Sequence, residues 1–186
     1  MKKVYIIHRW SGGSGCDWYP WLKAELLKMG YETHVPEMPN TDKPVISERV
    51  DFLKDYIGTP DENTFFVGHS IGAQTVLRYL ETFPEGTKVG GLVFVAPWFK
   101  VENLEDEETR ELASPWIETP IDLAKIKSMT SKIKAYFSTN EPYGFVDENK
   151  KIFENDLSAE VEILSEMGHF TEEDGIRELP QVLEDF

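Results

Sequence analysis

Six short apolar runs punctuate the chain: Val4–Ile7, Tyr31–Val35, Phe65–Val67, Leu92–Ala96, Ile133–Phe137 and Val161–Leu164. Each is brief and rich in β-branched or aromatic residues, so each is read as a strand. The run Leu92–Ala96 is apolar without interruption, as in a strand buried on both faces. Between the runs the apolar positions change to helical spacing. Trp21, Leu22 and Leu26 mark a helix over Trp18–Met29 that Gly30 stops. Val45–Tyr56 reads as a second helix, starting near Ser47 and ending at Gly58. Ala73, Val76, Leu77 and Leu80 mark a third over Ile71–Phe83. Another covers Asp147–Leu157, and a short one lies between Gly175 and Phe186. Strands alternating with helices at such short spacings predict an α/β fold. Its expected form is one domain over 1–186, with a mostly parallel six-stranded sheet covered by helices on both faces. Right-handed crossovers then bring every strand's carboxyl end to one rim, where a site belongs.

The rhythm breaks between Lys100 and Thr119, where Glu102, Glu105, Asp106, Glu107, Glu108 and Glu111 crowd together. A charge run of this kind reads first as a solvated helix face. Its position after a strand's carboxyl end is also where a pocket wall or lid would sit.

The third strand runs straight into Gly68-His69-Ser70-Ile71-Gly72, and a helical pattern starts at once. G-x-S-x-G between strand and helix is the setting of a nucleophile elbow. The turn is tight enough to hold Ser70 in a strained conformation, and the glycines let strand and helix pack closely. Ser70 is the candidate nucleophile. A hydroxyl needs a base, and four histidines are available: His8, His34, His69 and His169. His8 ends the first strand, His34 lies mid-strand, and His69 sits inside the turn, where packing is its expected role. His169 follows the last strand in Gly168-His169-Phe170 and comes last in the order nucleophile, acid, histidine. It is the candidate base. The acid belongs after the fifth strand, where Glu141 is the first carboxylate and Asp147, a candidate helix cap, is its rival. Backbone N–H groups of Ile71 and of Trp10, after the first strand, are the expected oxyanion donors. Trp98, Phe99 and Trp116 are candidates for lining an apolar acyl pocket.

Composition narrows the field. A net charge of −15 argues against nucleic acid and anionic membranes as partners. No apolar run is long enough to span a bilayer, and Met1–Ile7 reads as a first strand rather than a signal peptide. The single cysteine, Cys16, excludes an internal disulfide and fits a reducing, cytoplasmic setting. No metal or cofactor is implied.

With these residues in view, the chain resembles the small serine hydrolases of the retinoblastoma-binding-protein type and their bacterial relatives. The resemblance is carried by His8 and the loop after it, Asp17-Trp18-Tyr19-Pro20-Trp21-Leu22, Gly68–Gly72, Glu141-Pro142-Tyr143 and Gly168-His169-Phe170. It implies a single-domain α/β-hydrolase without a large cap, acting on small acyl esters. Two positions depart from that pattern: Arg9 stands where a glycine commonly follows the histidine, and Glu141 stands where aspartate is usual. The expected activity is hydrolysis of a small ester-type acyl substrate by Ser70, His169 and Glu141 through an acyl-enzyme. A thioesterase, amidase or lactonase would use the same residues. The alternative from another class is a catalytically silent binding module on the same fold.

Overall fold

A computed structural model describes residues 1–186. Its six strands are β1 (Lys3–Ile7), β2 (Glu32–His34), β3 (Thr64–His69), β4 (Gly91–Val95), β5 (Ile133–Ser138) and β6 (Glu160–Leu164). They form one sheet in the order β2-β1-β3-β4-β5-β6, and every neighbouring pair is parallel. Parallel neighbours need a crossover, and helices supply it. These are α1 (Tyr19–Lys28), α2 (Ile46–Ile57), α3 (Ile71–Glu81), α4 (Glu107–Glu118), α5 (Leu123–Met129), α6 (Val146–Asn155) and α7 (Pro180–Leu183).

Strand alternation divides the core in two. Phe66, Leu92, Phe94, Ala135 and Phe137 face one way, with Leu53 of α2, Leu77 of α3, Ile126 of α5 and Phe153 of α6. Phe65, Val67, Val93, Val95 and Tyr136 face the other way, against Trp18 and Leu22 at α1 and Val182 of α7. This period of two is what a pleated strand imposes, and it explains why β3 and β4 are apolar on both sides. Fully burying a side chain such as Phe94 contributes about 1.5–3 kcal/mol. The edge strand β6 is half exposed, and Lys134 of β5 pairs with its Glu160 and Glu162. Charges on an edge discourage pairing with another chain. No helix is long and apolar enough to cross a membrane.

Several local expectations shift. Helix α2 begins at Ile46 after an extended Val45, so Ser47 lies inside it and caps nothing. Helix α6 begins after Phe145, whose φ is 50°, which places Asp147 in the first turn rather than at the cap. Helix α5 has no counterpart in the apolar pattern. It has only seven residues, and the Asp122 side chain starts it by accepting from the Lys125 N–H at 2.9 Å. The charged segment does become a helix, α4, capped by Asp106 accepting from Thr109 N–H at 2.8 Å. Its glutamates are exposed while Ala113 and Trp116 are buried. The segment is therefore solvated on one side and a wall on the other.

Candidate active site

Ser70 alone makes the turn between β3 and α3, with φ 54° and ψ −122°. A non-glycine residue in such a region costs on the order of 1–3 kcal/mol. Neighbouring bonds hold it there: Ser70 N–H donates to Val95 O at 2.9 Å, and Ala73 N–H donates to Ser70 O at 3.0 Å. Both flanking glycines are sterically required. A Cβ on Gly68 would lie 2.6 Å from Ala73 Cα, and one on Gly72 would overlap the Ile7 carbonyl oxygen. Ile71 opens α3, so its N–H has no acceptor within the helix.

His169 lies in the loop after β6, and Glu141 in the turn after β5. His169 Nδ1 is 2.8 Å from Glu141 Oε1 and 3.0 Å from Oε2. A carboxylate only accepts, so Nδ1 carries a proton, and in the neutral ring Nε2 is then the acceptor. Ser70 and His169 line the same cleft. The Ser70 hydroxyl accepts from the Trp98 indole N–H at 3.2 Å and makes no hydrogen bond with His169. Asp147 is exposed and forms neither a hydrogen bond nor an ion pair.

Residues that sequence reasoning passed over shape the His169 loop. Asp174 accepts from His169 N–H at 2.9 Å, Thr171 N–H at 3.0 Å and the Thr171 hydroxyl at 2.7 Å. Asn140 Oδ1 accepts from Gly168 N–H at 2.7 Å, and Ser138 Oγ from Met167 N–H at 2.9 Å. Side chains at the end of β5 and in the turn carrying Glu141 thus hold the backbone of the loop carrying His169. Asn149 of α6 does the same for the chain after β4, bonding Phe99 N–H, Lys100 N–H and Lys100 O. The only sequence signal for these was a polar residue beside a strand end or within a helix, too common to single out.

The loop after β1 is equally well fixed. The Arg9 carbonyl accepts from His8 Nδ1–H at 2.8 Å and from Gly12 N–H at 3.2 Å. In a trans peptide the C=O and the next N–H point in opposite directions, so these two bonds also aim the Trp10 N–H. That N–H has no acceptor within the protein. Its indole is held separately, donating to Asp42 O at 3.0 Å. The Arg9 guanidinium braces this loop: it pairs with Asp17, at 2.8 Å from Nε and 3.3 Å from Nη2, and its Nη1 donates to the Trp10 carbonyl oxygen at 3.3 Å.

The cleft encloses about 340 Å³, with Trp10, Trp98, Val101 and Leu104 as apolar walls and Thr109 and Ala113 contributed by α4. Glu105, Glu173 and Asp174 lie at its edge. Two candidate lining residues are elsewhere. Phe99 follows Trp98 on the opposite side of the chain, and its ring packs on Phe153 in the sheet's core at 5.4 Å. Trp116 is buried behind the wall against Ile71 and Trp98, and its indole donates to Pro44 O at 3.1 Å. It backs Trp98 instead of meeting a ligand.

Two buried histidines give the protein a pH signature. Burial lowers His8 to about 4, and burial together with the nearby His169 lowers His69 to about 3. In the unfolded chain each returns to about 6.5. Both folded values are depressed, so the unfolded chain binds more protons below pH 6.5. This contribution to stability is complete above pH 6.5 and falls as the pH drops towards 4 and then 3. With both histidines lagging the unfolded chain, the loss is expected to approach about 2–3 kcal/mol per pH unit between pH 6 and 4, and about half that below pH 4, where only His69 lags. Urea unfolding midpoints measured between pH 7 and 4 check it; a flat profile would show that neither histidine is held neutral.

The chain matches hydrolase YdeN of Bacillus subtilis (strain 168) at 30% identity over 185 residues, covering 97% of this chain and 92% of that protein. It matches the rat serine hydrolase RBBP9 at 29% identity, covering 82% of this chain and 77% of the other. The fold superimposes on the crystal structure of the B. subtilis ydeN gene product with a TM-score of 0.89, at 29% identity, over 99% of this chain and 96% of that one. The serine hydrolase family model matches residues 4–186. This chain, with Ser70 in its strained turn and the His169–Glu141 pair on the same rim, belongs to the serine hydrolase family.

Proposed function

We propose that Ser70, His169 and Glu141 form a catalytic triad that hydrolyses small acyl esters. The observation that carries this reading is the His169–Glu141 pair, whose bond holds the proton of the neutral imidazole on Nδ1 and so reserves Nε2 as the acceptor, in a residue that lines the same cleft as Ser70. The Ser70 hydroxyl leaves the Trp98 indole by rotation about its Cα–Cβ bond and donates to His169 Nε2. His169 takes the proton as Ser70 attacks the acyl carbonyl. Glu141 offsets the charge of the imidazolium and keeps its Nδ1 proton in place. The N–H groups of Ile71 and Trp10 donate to the oxyanion, at a point where the amino end of α3 adds its positive dipole. His169 then protonates the leaving oxygen, and water releases the acyl group by the same steps in reverse.

The substrate is small because the cleft is. About 340 Å³ lies at the low end of ligand pockets, and α4 closes one side. Short acyl chains are therefore expected to react faster than long ones, each methylene counting for at most about 1–3 kcal/mol. A fluorophosphonate probe is expected to label Ser70, as peptide mapping would show, and p-nitrophenyl acetate or butyrate to be cleaved faster than the decanoate. An unlabelled protein would leave a binding module on a hydrolase fold. Preference for the decanoate would contradict the proposed pocket.

A further inference from the structure

His69 has no part in the chemistry proposed above, yet it is fully buried and both of its nitrogens are engaged. Nε2 lies 2.8 Å from the His169 carbonyl oxygen, and Nδ1 lies 2.6 Å from the Tyr19 hydroxyl. A carbonyl only accepts, so Nε2 carries the proton and Nδ1 is the acceptor. The Tyr19 hydroxyl must then donate to Nδ1, which leaves its oxygen free to accept from Arg9 N–H at 3.2 Å. With His69 neutral, as its burial favours, the three bonds run in one direction: Arg9 N–H to Tyr19, Tyr19 to His69, His69 to His169 O.

These bonds join three separate segments. Arg9 precedes Trp10 in the loop after β1, His69 ends β3 directly before Ser70, and His169 lies in the loop after β6. The neighbours of Tyr19 act in parallel. The Trp18 indole donates to Phe170 O at 3.1 Å, and Asp17 accepts from Glu172 N–H at 2.9 Å while pairing with Arg9. Three consecutive residues at the start of α1 therefore grip the His169 loop at positions 169, 170 and 172, the first of them through His69. All three are at most 5% exposed, where a hydrogen bond is least weakened by competition from water.

We propose that His69, held by Tyr19, is a positioning residue that sets the His169 imidazole in register with Ser70 and with the Trp10 N–H. The proposal rests on the triad reading of the site. It assigns His69 no contact with substrate. The cleft walls do not include His69 or Tyr19, so weakening the chain should misplace the base without altering the room for substrate. A displacement of about 1 Å at a reacting group can lower turnover by roughly a hundredfold. Partial loosening, with Glu141 and Asp174 still holding the loop, should cost less.

The test combines Tyr19→Phe, His69→Phe and His69→Gln with two readouts: steady-state kinetics on p-nitrophenyl acetate, and amide hydrogen exchange of the segment 167–174. Tyr19→Phe and His69→Phe are expected to lower kcat by roughly 10- to 30-fold with KM within about twofold of the wild type. Both should also speed exchange in that segment. His69→Gln, which supplies a donor and an acceptor, is expected to recover most of kcat. Should His69→Phe fail to fold, Tyr19→Phe, which removes one oxygen atom, decides with His69→Gln. Unchanged kcat and exchange in Tyr19→Phe would overturn the proposal. So would a raised KM at constant kcat, or a glutamine variant as impaired as the phenylalanine one. A wild-type protein that is neither labelled nor active would instead overturn the triad reading, and faster exchange in Tyr19→Phe would still register the clamp.

Discussion

Ser70→Ala is expected to remain folded and to lose ester turnover by roughly three to six orders of magnitude, the loss that follows when a serine nucleophile is removed. Stability should change little, for reasons specific to this turn. The bonds that hold the turn use the Ser70 backbone N–H and C=O, which alanine keeps. The positive φ strains alanine about as much as serine, because both carry a Cβ. The hydroxyl has one protein partner, the Trp98 indole, and losing that bond costs about 1 kcal/mol. The check is p-nitrophenyl acetate turnover beside urea unfolding of the same preparation. A folded variant with undiminished turnover would remove Ser70 from the chemistry.

The sheet was legible because its strands are separated by turns and helices with clear punctuation, and because β3 and β4 are buried on both faces. The turn at Ser70 was legible for a steric reason: Gly68 and Gly72 each stand where a Cβ would meet backbone. What escaped depends on which distant loops meet. Trp98 and Phe99 are equally apolar neighbours, and only the exit angle of β4 sends one to the cleft and the other onto Phe153. Arg9 stood out only as a departure from glycine, because its partner, Asp17, lies eight residues away and meets it only once the loop after β1 has folded. His69 was read as packing, and it is buried. That reading missed its two bonds, since the Tyr19 hydroxyl and the His169 carbonyl lie 50 and 100 residues away in sequence. Asp174 and Asn140 are invisible for the same reason, as each stabilises backbone N–H groups of a loop whose shape exists only after folding.

Glu141→Gln is expected to lower turnover by roughly 10²- to 10⁴-fold while leaving the fold in place. The carboxylate has two roles here. It accepts from His169 Nδ1–H through both oxygens, and Oε1 also accepts from Tyr143 N–H at 3.3 Å. Glutamine has the same shape and keeps one acceptor oxygen, so the Tyr143 contact and the turn can survive. It provides no charge for the imidazolium that forms as Ser70 attacks, and its NH₂ can select the wrong tautomer of His169. The extra methylene of glutamate over aspartate is accommodated, since the pair closes to 2.8 Å with the Tyr143 ring packed edge-on against His169 at 4.8 Å. Asp147 serves as the comparison. It is exposed in the first turn of α6, where a negative charge gains only a few tenths of a kcal/mol from the helix dipole. Asp147→Asn should therefore cost under about 1 kcal/mol of stability and leave kcat within about twofold. Both variants can be read in one assay, kcat on p-nitrophenyl acetate beside an unfolding curve. An active Glu141→Gln together with a folded but inactive Asp147→Asn would transfer the role of acid to Asp147 and require the loop after β5 to rearrange around His169.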